Sequence, residues 1–141
     1  TTEIYTLPLL AALPIYAIEN GRWVGDLPGL PGVELRVRGF NNADYRNLQT
    51  KKLRSITPAQ RAAGVSLELS DEMTNDLLVE TILLDWRGIE DDDGSPLAYS
   101  KERAREMLAD PRMRRFRDAV LFAADIVGEL EVAAIEDDAK N

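Results

Sequence analysis

The chain has 141 residues, a formal net charge of -8, and neither cysteine nor histidine. A single domain of this length buries roughly 68–70% of the surface its unfolded form exposes, so it needs no disulfide or metal staple. The missing cysteine excludes a thiol nucleophile and a thiolate metal site, and the missing histidine removes the commonest general base and metal ligand.

Composition therefore points away from an enzyme and toward a protein with no cofactor and no metal. Net negative charge also argues against nucleic acid as a general partner, since phosphate neutralisation needs positive surface. In chain order, the first segment is the apolar run LPLLAALPIYAI, Leu7 to Ile18. It is too short to cross a hydrocarbon core of about 30 Å as a helix. Pro8 and Pro14 interrupt it, and Glu3 stands where a signal peptide would be positive. Residues 1–20 thus read as a soluble apolar arm, either buried or partner-binding, with Leu10 and Leu13 as candidate contacts. No membrane association is expected.

Asn20-Gly21 marks a turn, followed by Arg22-Trp23-Val24 and later by Val33-Glu34-Leu35-Arg36-Val37-Arg38. The second run alternates apolar with charged residues, the period of a half-buried strand. GDLPGLPG between them supplies the fixed and positive φ values that turns require. A small β-hairpin or a looser extended pair is expected here. Two strands are marginal in water alone, so they must pack on helices.

From Asn42 the period changes. Asn41 or Asn42 is placed to cap a helix, with Tyr45, Leu48, Lys52 (by its aliphatic stem), Leu53 and Ile56 at helical spacings. Thr57-Pro58-Ala59-Gln60 has the cap, first-turn proline and third-position glutamine of a new helix start, and Gly64 stops it. Ser70 or Asp71 is expected to cap a central helix running to Trp86. Its stripe would be Met73, Leu77, Thr81 and Leu84, flanked by Leu78, Ile82 and Trp86. After an acidic loop, Ser100 should cap a short helix to about Ala109, and Asp110-Pro111 should open a longer one. That last helix would turn Met113, Phe116, Val120, Ala123 or Ala124, and Val127 inward, with its end near Gly128 or somewhat beyond. The expected fold is mainly α (α+β): a compact domain over residues 21–130 with four to five helices and the N-terminal hairpin, then an acidic flexible tail at 131–141.

Glu90-Asp91-Asp92-Asp93-Gly94 invites a calcium reading, but the spacing fails. With Gly94 at the sixth loop position, the first would be Ile89 and the twelfth Ser100, so the first ligand and the bidentate glutamate are both missing. A solvated turn with Gly94 at positive φ, its flanks Ile89, Leu97 and Tyr99 folded onto the core, fits better. Trp86 reads first as a core anchor and second as a contact residue. Two basic stretches run against the overall acidity. One spans Arg46 to Arg61. The other includes Arg114, Arg115 and Arg117, which form either a surface neutralised by neighbouring carboxylates or a strip that docks an acidic partner or the chain's own acidic tail.

With these residues laid out, GRWVGDLPGLPGVELRVRGFNNADYRNLQ and LLDWRGIEDDDGSPLAYSKERAREMLADPRMRRFRDAVLFAA resemble the tail assembly chaperones of long-tailed bacteriophages and prophages. The resemblance runs from about Gly21 to Glu129 and is most specific between Asp85 and Ser100, with Asp110-Pro111 after it. It implies a non-enzymatic, mostly helical protein of the host bacterial cytoplasm. Such a protein binds the tape measure protein, keeps it soluble, helps recruit tail tube protein and is absent from the mature virion. A homo-oligomer is compatible with it. The family often makes a longer, frameshifted product, and Ala139-Lys140-Asn141 is encodable by a slippery heptamer, which places an expected slip near Lys140. Two other readings remain open: a structural or head–tail joining protein of a tailed phage, and a small acidic regulatory binding module. The partner-binding residues expected on this basis are Leu10, Leu13, Trp86, Arg114, Arg115 and Arg117.

Overall fold

The computed structural model describes residues 16–140, with side chains described over 16–129. The expected contacts Leu10 and Leu13, with most of the N-terminal arm, lie outside the described residues. Residues 16–20 form a helical turn whose Ile18 is buried. Its Glu19 carboxylate accepts from the Ala43 backbone N–H at 3.0 Å, so this end of the arm is tied into the fold.

The expected hairpin is present. β1 (Arg22–Val24) pairs antiparallel with β2 (Glu34–Val37), placing Val24 opposite Leu35. In the connection, Gly29 and Gly32 have φ values of 77° and 78°, and Leu27 is tucked inside the loop. The alternation in β2 is borne out: Leu35 and Val37 are fully buried while Arg36 faces outward.

Three capping readings hold. Asn42 caps α1 (Ala43–Ser55) by accepting from the Tyr45 N–H. Thr57 and Gln60 form a reciprocal capping box on α2 (Pro58–Ala63), and Gly64 ends that helix at φ 85°. Asn42 does more than cap. Its amide nitrogen donates to the carbonyls of Gly39 (2.8 Å) and Thr81 (2.9 Å), so one buried side chain joins the strand exit, the start of α1 and the end of α3.

The central helix is where expectation fails. α3 runs Leu67–Thr81, capped by Ser66 rather than Ser70 or Asp71. It stops before Trp86, because Leu83–Arg87 is a third strand, β3. β3 pairs antiparallel with the far edge of β2, giving the sheet order β1-β2-β3 and setting Leu35 opposite Trp86. The pairing shifts register so that Arg36 meets Asp85 but Val37 meets Leu83. Leu84 is the extra residue, and it packs against Gly21, where an added Cβ would come within 2.6 Å of it. A continuous apolar run such as Ile82-Leu83-Leu84 satisfies helix and strand templates alike, and the unpaired edge of β2 decides between them.

The remaining helices follow the expected plan. α4 (Lys101–Ala109) is capped by Ser100, and Asp110 caps a 3-10 turn at Pro111–Met113 that leads into α5 (Arg114–Lys140). Phe116, Val120, Ala123, Ala124 and Val127 of α5 are buried against the sheet and α4. α5 passes Gly128 and continues helically to Lys140, the longer of the two ends the sequence left open, through the residues read as the acidic tail. The core therefore lies between one face of the sheet, the second half of α3, α4 and α5. Trp86 sits at its centre, 4% exposed, in edge-to-face contact with Tyr99 and Phe116 at 4.9 and 5.8 Å. Among the described residues there are five α-helices beside the 3-10 turn and the turn at 16–20, so the fold is mainly helical with a small antiparallel sheet.

Candidate functional site

The motif from Asp85 to Ser100 builds structure at nearly every position. The Trp86 indole N–H donates to the Leu97 carbonyl at 2.8 Å, closing the acidic loop onto the strand that precedes it. Gly88 has φ 86°, and a Cβ there would lie 2.2 Å from the Gly32 carbonyl oxygen. Glu90 bridges to Pro96, and Gly94 takes φ 82° as expected, its N–H donating to Asp91. Ile89, Leu97 and Tyr99 pack on the core. Hydrogen bonds from the Ser95 hydroxyl and backbone hold the Asp93 carboxyl below its usual pKa. The loop is a folded turn, and no group of three or more acidic side chains positioned to hold a metal ion exists among the described residues.

The basic residues of α4 and α5 divide. Arg105 reaches Asp76 (2.5 Å) and Glu80 (2.7 Å), Arg112 pairs with Asp110, and Arg117 ties α5 to Asn75 and Asp71 of α3. These are internal neutralisations. Arg114 and Arg115 are exposed and make no ion pair among the described residues, and Arg115 runs beside Gly29 of the hairpin loop. The arginines expected as a strip thus point to different surroundings, and Trp86 is enclosed in the core.

A different surface stands out, formed by α1, α2 and the first half of α3. Neither α1 nor α2 has a single buried residue, and α3 is buried only from Leu77 onward. Large apolar side chains are left at the surface: Leu53 is 51% exposed, Val65 44% and Leu67 77%. Between the helices lies a groove of ≈ 520 Å³ whose walls include Ile56, Leu69 and Met73, with Lys52, Glu72 and Arg105 among its charged lining. Lys52 and Arg105 both converge on Asp76. Partial burial pulls the Asp76 carboxyl upward, but the hydrogen bonds and charges of Arg105 and Lys52 prevail and hold its pKa below the usual value. These two ion pairs tie α1 and α4 to α3 beside the groove.

Periodicity alone does not reveal this groove. The stripe Leu48, Leu53, Ile56 has the spacing of a core-facing helix, yet Leu53 is exposed and the other two only half-buried. The available signal is compositional. Residues 45–67 contain five basic residues and no acidic one, in a chain whose overall charge is strongly negative.

Residues 40–141, from just after β2 to the end of the sequence, match the family described as YdaY prophage protein. The chain belongs to that family. The part of this prophage protein that matches takes in α1 to α5, β3, the acidic loop and the whole groove; the β1–β2 hairpin falls outside it. No curated protein and no solved structure matches the chain. No helix among the described residues is long and apolar enough to cross a membrane.

Proposed function

We propose that this prophage protein is a non-enzymatic tail assembly chaperone that holds helical segments of a tape measure protein in the groove of α1, α2 and α3. In this reading it acts in the host cytoplasm, presents the tape measure to tail tube protein, and leaves before the particle is complete. Membership of a prophage family supports it, as does the resemblance between Asp85 and Ser100. The observation that carries it is the groove itself, with Ile56, Leu69 and Met73 on its walls, on helices that also leave Leu53 and Leu67 exposed. An amphipathic helix laid into such a groove buries its i, i+3, i+4 anchors against those walls, and a surrounding charged surface keeps the complex dispersed.

The test is co-expression with the tape measure protein encoded by the same prophage. The wild-type chain should keep that partner in the soluble fraction, and Ile56→Asp combined with Leu69→Asp, both on the groove wall, should return it to the pellet with this chain still folded. Finding the chain in stoichiometric amounts inside finished particles would instead favour a structural tail or joining protein. An unchanged soluble yield from the double variant would sink the groove as the binding site.

A further inference from the structure

The side of α1 turned away from the groove carries a leucine among unpaired cations. Arg46, Thr50 and Leu53 stand at spacings of four and three, so they share that face, and Arg54 flanks it four residues after Thr50. Arg61 of α2 joins them, its guanidinium donating to the Leu53 carbonyl at 3.0 Å. Leu53, half exposed, is thus flanked by three exposed arginines that form no ion pair among the described residues. The groove uses other residues of this helix: Lys52, Ser55 and Ile56.

A surface of the opposite sign lies on the far flank of α4. There a cleft of ≈ 580 Å³ runs between α4, the turn at Pro111–Met113 and the acidic loop, with Ile89, Leu97 and Met113 as its apolar lining. Its two arginines are already neutralised, Arg103 by Glu106 and Arg112 by Asp110. That leaves Glu90, Asp91 and Asp92 exposed along the cleft, with no ion pair among the described residues. They do not converge as a metal site would. Carboxylates spread along a cleft match a row of guanidinium groups instead.

Within one molecule the two surfaces cannot meet, because α4 stands between them. Arg105 and Ala109 face the groove that α1 borders, whereas Arg103, Glu106 and Met107 face the cleft. From this complementarity we propose that the acidic cleft of one copy receives the outer face of α1 from a second copy. Leu53 meets the apolar lining, and Arg46, Arg54 and Arg61 meet Glu90, Asp91 and Asp92. The contact joins two different surfaces, so it is head-to-tail and extends to a third copy unless a ring closes. It stands independently of the tape measure reading, since it uses none of the groove walls and needs no phage partner.

Sedimentation velocity on the full chain, at rising concentration and in two salts, tests it. In about 0.1 M salt a Debye length of about 10 Å screens most of the repulsion between two copies of charge -8, while charges in contact still attract; about 1 M salt screens these too. Association should therefore appear in the first salt and weaken in the second. Arg46→Glu with Arg54→Glu should weaken it at least about tenfold, and so should Glu90→Lys with Asp92→Lys. Mixing these two proteins should restore association, because each keeps the surface the other needs. Asp125→Lys with Glu129→Lys, on exposed positions of α5, should leave it unchanged. All six side chains are exposed, and circular dichroism checks that each variant keeps its helices. Should a reversal lose helicity, Arg46→Gln with Arg54→Gln carries the same test. A chain still monomeric at millimolar concentration in the lower salt overturns the proposal. So does association indifferent to both reversals, a mixture of folded variants that stays apart, or a loss confined to the α5 pair.

Discussion

Gly88 and Gly94 have nearly the same backbone angle, φ 86° and 82°, and quite different surroundings. At Gly94 an added Cβ meets nothing within 4 Å; at Gly88 it would lie 2.2 Å from a backbone oxygen that cannot swing aside. Gly94→Ala should therefore cost only the left-handed strain, about 1–2 kcal/mol. Gly88→Ala adds a forced separation of the hairpin loop from β3 and should cost about 3 kcal/mol or more. Urea melts of the two variants check the order. Asn42 gives a second residue-scale contrast. Asp normally caps a helix as well as Asn does. Here Asn42→Asp keeps the acceptor for Tyr45 but sets a carboxylate against the Gly39 and Thr81 carbonyls, which lose their donor. A loss of about 2–4 kcal/mol is expected in the same melts, well beyond what a cap exchange costs.

At the scale of elements, the caps at Asn42, Thr57 with Gln60, Ser100 and Asp110 were legible because a cap is local, whereas α3 starts at Ser66, earlier than the Ser70 or Asp71 its apolar stripe suggested. The α3–β3 boundary was not, because the residues around Ile82 fit either form and their fate depends on an edge of β2 about 45 positions earlier in the chain. The groove was hidden for a related reason. Whether a stripe such as Leu48–Leu53–Ile56 is covered depends on neighbours, which spacing does not record. What holds that lobe is the triad at Asp76, and its titration has a definite sign. Folding lowers the Asp76 pKa below its ordinary 3.8. The stabilisation is fully present above that value and is lost as pH falls through the lower, folded one. Asp76→Asn should cost about 1 kcal/mol at pH 7, and the gap from wild type should close as the solution is acidified toward pH 2. Chemical denaturation at a series of pH values measures that gap.

For the whole molecule, charge is segregated as clearly as apolar surface is. Nearly all of the net charge of -8 resides in the stretch from Asp118 to Asp138 of α5, while the lobe of α1, α2 and α3 up to Asp76 balances five basic residues with five acidic ones. The acidic run was readable in the sequence, but where it lies on the molecule required the fold, because only the packing of α5 on the sheet sets its direction.

The sheet order carries a practical consequence. β2 is the middle strand, and its Leu35 and Val37 are completely enclosed, yet it lies upstream of residue 40, where the family match starts. A fragment cut at Phe40 would strip β3 of the one strand it pairs with among the described residues and open the floor beneath Trp86. Such a truncation should express as aggregate, or as a helical species whose tryptophan fluorescence shifts to the red, and adding back a peptide of residues 16–39 should reverse the shift. The evolutionary unit recognised by similarity and the physical unit that can stand in water are, for this molecule, two different lengths of chain.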